Sequence, residues 1–331
     1  MAIHAVIGNA VYTCRGELET YFQPFRDGTI GRFHPFSTPF GKQRLIYADW
    51  TASGRLYRPI EEKLTHELGP FVGNTHTESN VTGTKTTLAY RYAKEIIKQH
   101  VHAGKNDVLI MQGAGTTSAV NKLQRLLGLR VPERWKHRLS LHDEERPVVF
   151  VTHMEHHSNL LPWVETIAEV VAVRPTENGD VDLDHLRELL ERYRDRPQKI
   201  GAFTACSNVT GLETPYHKLA KIMHEHGGLC FVDFAASAPY VRIDMHPDDP
   251  MEQLDAIYFS PISFSAGQAA PACSSLTAGF IISTLRITPA AGRCIGPTRG
   301  GTMNTSKPLK NAKMAEHRRF GKPSRQRWPS S

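Results

Sequence analysis

Cysteine is scarce in this sequence: five in 331 residues, at Cys14, Cys206, Cys230, Cys273 and Cys294. The number is odd and no two form a Cys-x-x-Cys pair, which argues against a disulfide framework and a zinc ribbon. No run approaches the ~18 consecutive apolar residues of a membrane span, and the first thirty residues lack the charged start and apolar stretch of a signal peptide. A cytoplasmic protein with no membrane partner is expected. Acidic residues are missing from one end only. Residues 262–331 hold eleven Lys and Arg against a single acid, Glu316, a net of +10. That leaves 29 of the 40 bases and 32 of the 33 acids to residues 1–261, a net of −3. The +7 of the whole chain invites a nucleic-acid partner, yet it belongs to the tail alone.

What is present is an alternation. Residues 1–45 form an N-terminal segment with aromatic and proline punctuation, expected to give a short helix and a wrapping chain. Val108 to Met111, Val148 to Thr152, Glu169 to Val173, Ile200 to Ala205, Leu229 to Asp233 and Ala256 to Ser260 read as strands. Between them Ser118–Leu129, Asn159–Ala168, Asp182–Tyr193 and Pro215–His226 carry helical patterns. Strands separated by helices of this length imply crossover connections and a mostly parallel sheet covered on both faces. The expected class is α/β, with a large domain over residues 46–261. Beyond it, residues 262–331 lose their acids and apolar stripe, and only Phe280-Ile281-Ile282 looks strand-like. The composition is that of a low-order tail.

Ligands of such sheets bind at the carboxyl ends of the strands. The first of these ends is Gly113-Ala114-Gly115-Thr116-Thr117, where small residues let backbone N–H groups converge at a helix N-terminus: a phosphate cup, or a plain glycine turn. Ser118 stands where a dinucleotide fingerprint needs a third glycine, and the absence of Gly-Lys-Ser/Thr excludes a nucleotide P-loop. The second end, His153-Met154-Glu155-His156-His157-Ser158-Asn159, can be read as metal ligands or as an imidazole that stacks on an aromatic cofactor. At the third, Asn208 within Ser207–Gly211 can donate to a phenolate or carbonyl oxygen. The fourth is Asp233, a carboxylate ending an apolar strand, which is costly there unless paired. Its natural partner is a protonated ring nitrogen; the plainer role is a turn cap.

A phosphate cup, a stacking imidazole, a hydrogen-bonding Asn and a nitrogen-pairing Asp together describe a pyridoxal phosphate (PLP) pocket. With Tyr47–Arg55, Asn74–Thr77, Phe231–Ala235 and Tyr258-Phe259-Ser260-Pro261, these segments make the chain resemble the class V aminotransferases, the group that contains cysteine desulfurases, over roughly residues 20–261. The resemblance implies the large domain of the type I PLP-dependent fold, with the small C-terminal domain missing or disrupted. It further implies that Gly115, Thr116 and Ser260 hold the phosphate, His156 stacks on the ring, Asn208 contacts its hydroxyl oxygen and Asp233 pairs with its nitrogen. Ala52, Ser53 and His76 would line the substrate side. An amino acid is the implied small-molecule substrate, and a homodimer the implied assembly. Many relatives carry Gln or His where this sequence has Ala236.

One residue of the family pattern is absent. Its Ser-Pro is followed by His-Lys, and that lysine forms the Schiff base with the cofactor and moves protons. Here Ser260-Pro261 continues as Ile262-Ser263-Phe264, so Ser263 occupies the lysine position and no catalytic residue is intact. Neither Cys273 nor Cys294 stands in the context of the family's sulfur-accepting cysteine. The break coincides with the change in composition, which a shifted reading frame explains. Read from the third base of the Pro261 codon, permitted codons can yield His-Lys-Phe-Leu-Gly-Gly-Pro-Gly-Ser-Ser-Gly. Read likewise from Thr288, they can yield Pro-Gly-Gly-Gly-Thr-Val-His-Trp. The expectation is a cysteine desulfurase-like, PLP-dependent protein impaired at the lysine. The alternatives are a PLP-binding derivative without catalysis, and unspecific nucleic-acid binding through the tail.

Overall fold

The computed structural model describes residues 5–7, 10–12, 15–113, 115–136, 138–260, 279–283, 286–287 and 294–295. Cys14, Ala114, Pro261, Ser263, Cys273 and most of the basic tail lie outside them. The chain opens with β1 (Ala5–Ile7), β2 (Ala10–Tyr12), α1 (Arg15–Gly28) and a hairpin of β3 (Pro35–Thr38) and β4 (Gly41–Arg44). Helices α2 (Arg58–Glu62) and α3 (Val81–His100) follow. Then come β5 (Val108–Gln112), α4 (Gly115–Leu126), α5 (Glu133–Lys136), β6 (Val148–Thr152), α6 (His157–Val164) and β7 (Glu169–Val173). The remaining elements are α7 (Leu183–Arg192), β8 (Lys199–Thr204), α8 (Tyr216–Glu225), β9 (Leu229–Asp233), β10 (Ala256–Phe259), β11 (Gly279–Ser283), β12 (Arg286–Ile287) and β13 (Cys294–Ile295).

Seven strands form one sheet in the order β5-β11-β10-β9-β8-β6-β7. Pairings from β10 through β9, β8 and β6 to β7 are parallel; β11 runs antiparallel to both its neighbours. The strand-like run of the tail, Phe280-Ile281-Ile282, is therefore built into the sheet, between β5 and β10. All six strands expected from the apolar runs are present, with ends shifted by a residue at most.

The alternation of side chains along each strand divides the core in two. Val148 and Phe150 face a layer with Leu186, Leu190, Leu219 and Met223 of α7 and α8. Val149 and Val151 face the opposite layer, with Ala119 and Leu123 of α4 and Trp163 of α6. Every residue of β6 is buried, as a strand covered on both faces requires. Helix α7 starts where Asp182 accepts the N–H groups of Asp184 and His185, at 3.1 and 2.9 Å. That N-cap sets the first of the expected boundaries one residue late.

Helix α3 is the one long element that no pattern predicted. Its 20 residues bury only Gly83 and Thr87, so no apolar stripe marks it. Asn80 nonetheless caps it, accepting the Gly83 N–H at 2.7 Å.

The far end of α8 holds a charged pair in the core. Each ring nitrogen of His224 meets one acceptor: Nδ1 lies 2.7 Å from the Met251 carbonyl and Nε2 lies 2.8 Å from the Asp255 carboxylate. Both partners accept only, so both ring nitrogens donate and the imidazole is protonated. Burial by itself would lower the His224 pKa, but the bond and charge of Asp255 and the Met251 carbonyl outweigh it and the pKa is raised. A raised His pKa adds stability that is fully present below the unfolded value and lost as pH rises through the folded one. Replacing His224 by Gln is expected to cost about 1 to 3 kcal/mol at pH 6 and clearly less at pH 9. Urea denaturation at the two pH values measures this; an equal cost at both would contradict a charged His224.

Candidate active site

The carboxyl ends of β5, β6, β8, β9 and β10 open on one cavity of about 480 Å³. Gly115, Thr116, His156, Asn208, Asp233 and Ser260, drawn from five separate segments of the sequence, all line it. Ala52 reaches it from the stretch between β4 and α2. Ser53 and His76 do not. Ser53 lies 2.6 Å from the Tyr47 hydroxyl and lines a separate cavity with Arg55. His76 packs edge-on against Tyr90, 6.2 Å between ring centres, with its backbone at φ 66°.

Each wall of the cavity has a local cause. Gly113 and Gly115 take φ 49° and 73°, the left-handed region that favours glycine. A Cβ at Gly115 would meet no atom within 4 Å, so the backbone there is open to a ligand at the N-terminus of a 12-residue helix. Thr116, in the first turn of that helix, is buried and lines the cavity.

His156 caps α6, its Nδ1 accepting the Ser158 N–H at 3.1 Å. That acceptor role leaves the ring proton on Nε2, and the exposed imidazole lines the cavity. The neighbouring His153 turns away, its Nε2 3.0 Å from the Gly179 carbonyl. Among the described residues, no three His, Cys, Asp or Glu side chains group as metal ligands.

Asn208 rides on a tight turn. Ser207 Oγ accepts the N–H groups of Val209 and Thr210, at 3.3 and 3.2 Å, and Gly211 follows at φ 74°. The turn leaves the Asn208 side chain exposed at the cavity wall.

Asp233 ends β9 at 3% exposure. Its Oδ1 accepts the Ala235 N–H at 2.9 Å. Burial pushes its pKa up to about 7; the Ala235 bond opposes the rise and the charge of Glu155 adds to it. A carboxylate in that state is stabilised most by a hydrogen-bonding cation from the cavity side.

Glu155 is the residue that sequence reasoning overlooked. Its Oε1 accepts from the Thr152 hydroxyl at 2.7 Å, the Thr204 N–H at 2.8 Å and the Thr152 N–H at 3.2 Å. Its Oε2 accepts from Asn159 at 2.6 Å. The carboxylate thereby ties the ends of β6 and β8 to α6. Burial raises its pKa against the lowering effect of all four bonds. Asn159 continues inward, accepting from the Tyr258 hydroxyl at 2.5 Å. Its position in the sequence gives no signal of this role, because one of its partners, Thr204, is brought to it only by the fold. Asp49, Thr51 and Cys206 also line the cavity without having been singled out for it.

The family model for class V aminotransferases matches residues 46–261, most of the chain and all of this cavity's described lining. The chain belongs to the class V aminotransferase family. Members of the family depend on PLP. A probable cysteine desulfurase of Halalkalibacterium halodurans is 29% identical over 205 residues, which are 61% of this chain and 47% of that protein. A cysteine desulfurase of Synechococcus elongatus is 27% identical over 209 residues, 62% of this chain and 31% of that one. The chain thus spans half or less of the length of these curated relatives. Among solved structures, the Escherichia coli cysteine desulfurase CsdA aligns at a TM-score of 0.55 and 22% identity, over 82% of this chain and 58% of that one. An apo cysteine desulfurase from Thermococcus onnurineus aligns at 0.55 and 20%, over 72% and 53%. At such identity these structures establish the fold: the large domain of a type I PLP-dependent enzyme. Among the described residues no helix is long and apolar enough to cross a membrane.

The residues of this class V aminotransferase domain fit the cofactor. A glycine-built cradle at a helix N-terminus suits a phosphate, the exposed His156 ring suits a flat partner, and the raised Asp233 carboxylate suits a ring N–H.

Proposed function

We propose that this chain binds PLP in the cavity at the strand ends and that its turnover on an amino acid is impaired. Thr116 and the backbone at Gly115 would hold the phosphate together with Ser260; His156 would stack on the ring and Asn208 would donate to its hydroxyl oxygen. Asp233 would hold a proton at the ring nitrogen. The single observation that carries the reading is Asp233: a carboxylate at 3% exposure, pushed up to about 7, lining a cavity. Bound there, the cofactor supplies an electron sink that stabilises a carbanion next to the substrate's amino group.

The impairment follows from the sequence at Ser263, which lies outside the described residues. A hydroxyl there cannot form the imine that the family's lysine forms, nor carry protons as an amine does. The helix α8 offers no substitute: Lys221 is held 2.8 Å from Asp249, and neither it nor Lys218 lines the cavity. Desulfurase chemistry, supported by the names of the curated relatives, and the frame change after Pro261, supported by the codon reading, belong to the same proposal, as do the homodimer that the family resemblance implies and a cytoplasmic location.

Two measurements test it. Titration with PLP, followed by protein fluorescence, is expected to show saturable binding at one site per chain. Borohydride treatment of the loaded chain is expected to leave no stoichiometric phosphopyridoxyl mass on any lysine. Absence of binding would overturn the cofactor assignment; a stoichiometric lysine adduct would overturn the impairment.

A further inference from the structure

Both neighbours of Asp233 in the sheet are tied to one buried acid. In the register of the parallel strands Asp233 stands opposite Thr204 on β8 and Tyr258 on β10. Thr204 donates its N–H to Glu155 at 2.8 Å. Tyr258 donates its hydroxyl to Asn159, which in turn donates to Glu155 at 2.6 Å. Glu155 itself does not line the cavity, so it acts on a ligand there only through Asp233.

The orientation of Asn159 fixes the charge of Glu155. The indole N–H of Trp163 can only donate, and it meets Asn159 Oδ1 at 3.4 Å. The Tyr258 hydroxyl donates to the same oxygen. The Asn159 amide nitrogen therefore faces Glu155. The N–H groups of Thr152 and Thr204 also donate to Glu155. The Thr152 hydroxyl accepts the Met154 N–H at 3.1 Å and turns its own proton toward Glu155. Burial raises the Glu155 pKa, yet every group bonded to it is a donor, and a proton on either oxygen would displace one of them. Glu155 is a buried anion, and among the described residues no Lys, Arg or His pairs with it.

An unpaired anion in a low dielectric disfavours a second one beside it. Burial is the larger cause of the raised Asp233 pKa, and the charge of Glu155 adds to it. The other titratable groups around Asp233 are Tyr258 on β10, Cys230 on its own strand, and Asp49, His156 and Cys206 on the cavity side. Burial pushes Tyr258, Cys230 and Cys206 up, so these three are neutral. No Lys or Arg is among the described lining residues.

We propose that Glu155 is a positioning residue for Asp233: its fixed negative charge makes the Asp233 carboxyl hold a proton at the cavity wall of the unliganded chain. Asp233 can then give that proton to an unprotonated ring nitrogen and accept the resulting N–H as a carboxylate. One O–H bond breaks, one N–H bond forms, and Glu155 stays ionised throughout. The inference rests on the cofactor reading above for the identity of the ligand, and on the unliganded chain alone for the proton.

The carboxyl carbon NMR resonance of Asp233, identified by its loss in Asp233→Asn, reports the proton in the full unliganded chain. Its midpoint is expected near the value of about 7 given above, and Glu155→Gln is expected to lower it by about one pH unit. Tyr258→Phe cuts the tie through Asn159 and keeps the charge, so its midpoint is expected within ~0.3 of the parent's. Melting curves report that each variant is folded. A parent midpoint below about 5 would overturn the held proton whatever the variants do. No shift in Glu155→Gln, or an equal one in Tyr258→Phe, would overturn the role of the charge. For the ligand, PLP is compared at about pH 8 with the analogue whose ring nitrogen is replaced by C–H. The parent is expected to prefer PLP by about 30-fold and Glu155→Gln by roughly 5-fold. The same preference in both would contradict a part for Glu155 in holding the ring N–H. Failure of PLP to bind the parent would overturn the cofactor reading, while the Asp233 titration would still decide the role of Glu155.

Discussion

Asp233→Asn is expected to make the unliganded chain more heat-stable above neutral pH while weakening its hold on PLP. The native pKa of Asp233 is pushed up to about 7 from an ordinary 3.8, chiefly by burial. Between those values the folded chain keeps a proton that the unfolded chain has released, so stability falls as pH rises and the full penalty is present above about pH 7. Asparagine cannot ionise, and its oxygen can still accept the Ala235 N–H. Its buried NH₂ gives back part of the gain. A net of about 2 kcal/mol at pH 8 corresponds to a melting temperature roughly 4 to 8 °C higher, with the difference vanishing near pH 4. The same change removes the carboxylate that would hold the pyridine N–H, so PLP affinity is expected to fall about 30-fold or more. Melting curves at pH 5 and 8, with and without PLP, check both halves. A variant less stable than the parent at pH 8 would show that Asp233 has a cation partner within the protein.

Glu155→Ala is expected to destabilise the domain more than any single substitution on the cavity surface. The carboxylate accepts four hydrogen bonds, two from Thr152 and one each from Thr204 and Asn159. Removing it strands donors on β6, β8 and α6 at once, beside the buried Tyr258–Asn159 bond. A loss of about 3 to 5 kcal/mol is expected, which lowers the melting temperature by roughly 8 °C or more. Glu155→Gln retains the shape but turns an NH₂ group toward the Asn159 donor, and is expected to lose about half as much. The order Glu, Gln, Ala in melting temperature is the check. An alanine variant within ~2 °C of the parent would show that solvent satisfies these donors as well as Glu155 does.

The two predictions concern residues of unequal legibility. Asp233 could be found from the sequence, because a carboxylate closing the apolar run Leu229–Val232 is anomalous on its face. Glu155 could not, because its role depends on Thr204, 49 positions away in sequence. The same division runs through the fold. Strands covered on both faces, such as Val148–Thr152, announce themselves as short apolar runs. Helix α3 buries two residues of twenty and leaves no such mark.

The sequence by itself determined the α/β class, the family's motifs and their order, the division of charge between body and tail, and the serine at the lysine position. These are local matters: periodicity, residue type and spacing along one dimension. The tertiary structure alone decided which motifs meet. It gathered Gly115, Thr116, His156, Asn208, Asp233 and Ser260 on one cavity and left Ser53 and His76 off its lining. Parallel strands bring their carboxyl ends together from segments dozens of residues apart, and the crossover helices that separate those segments in sequence carry no trace of which ends will adjoin.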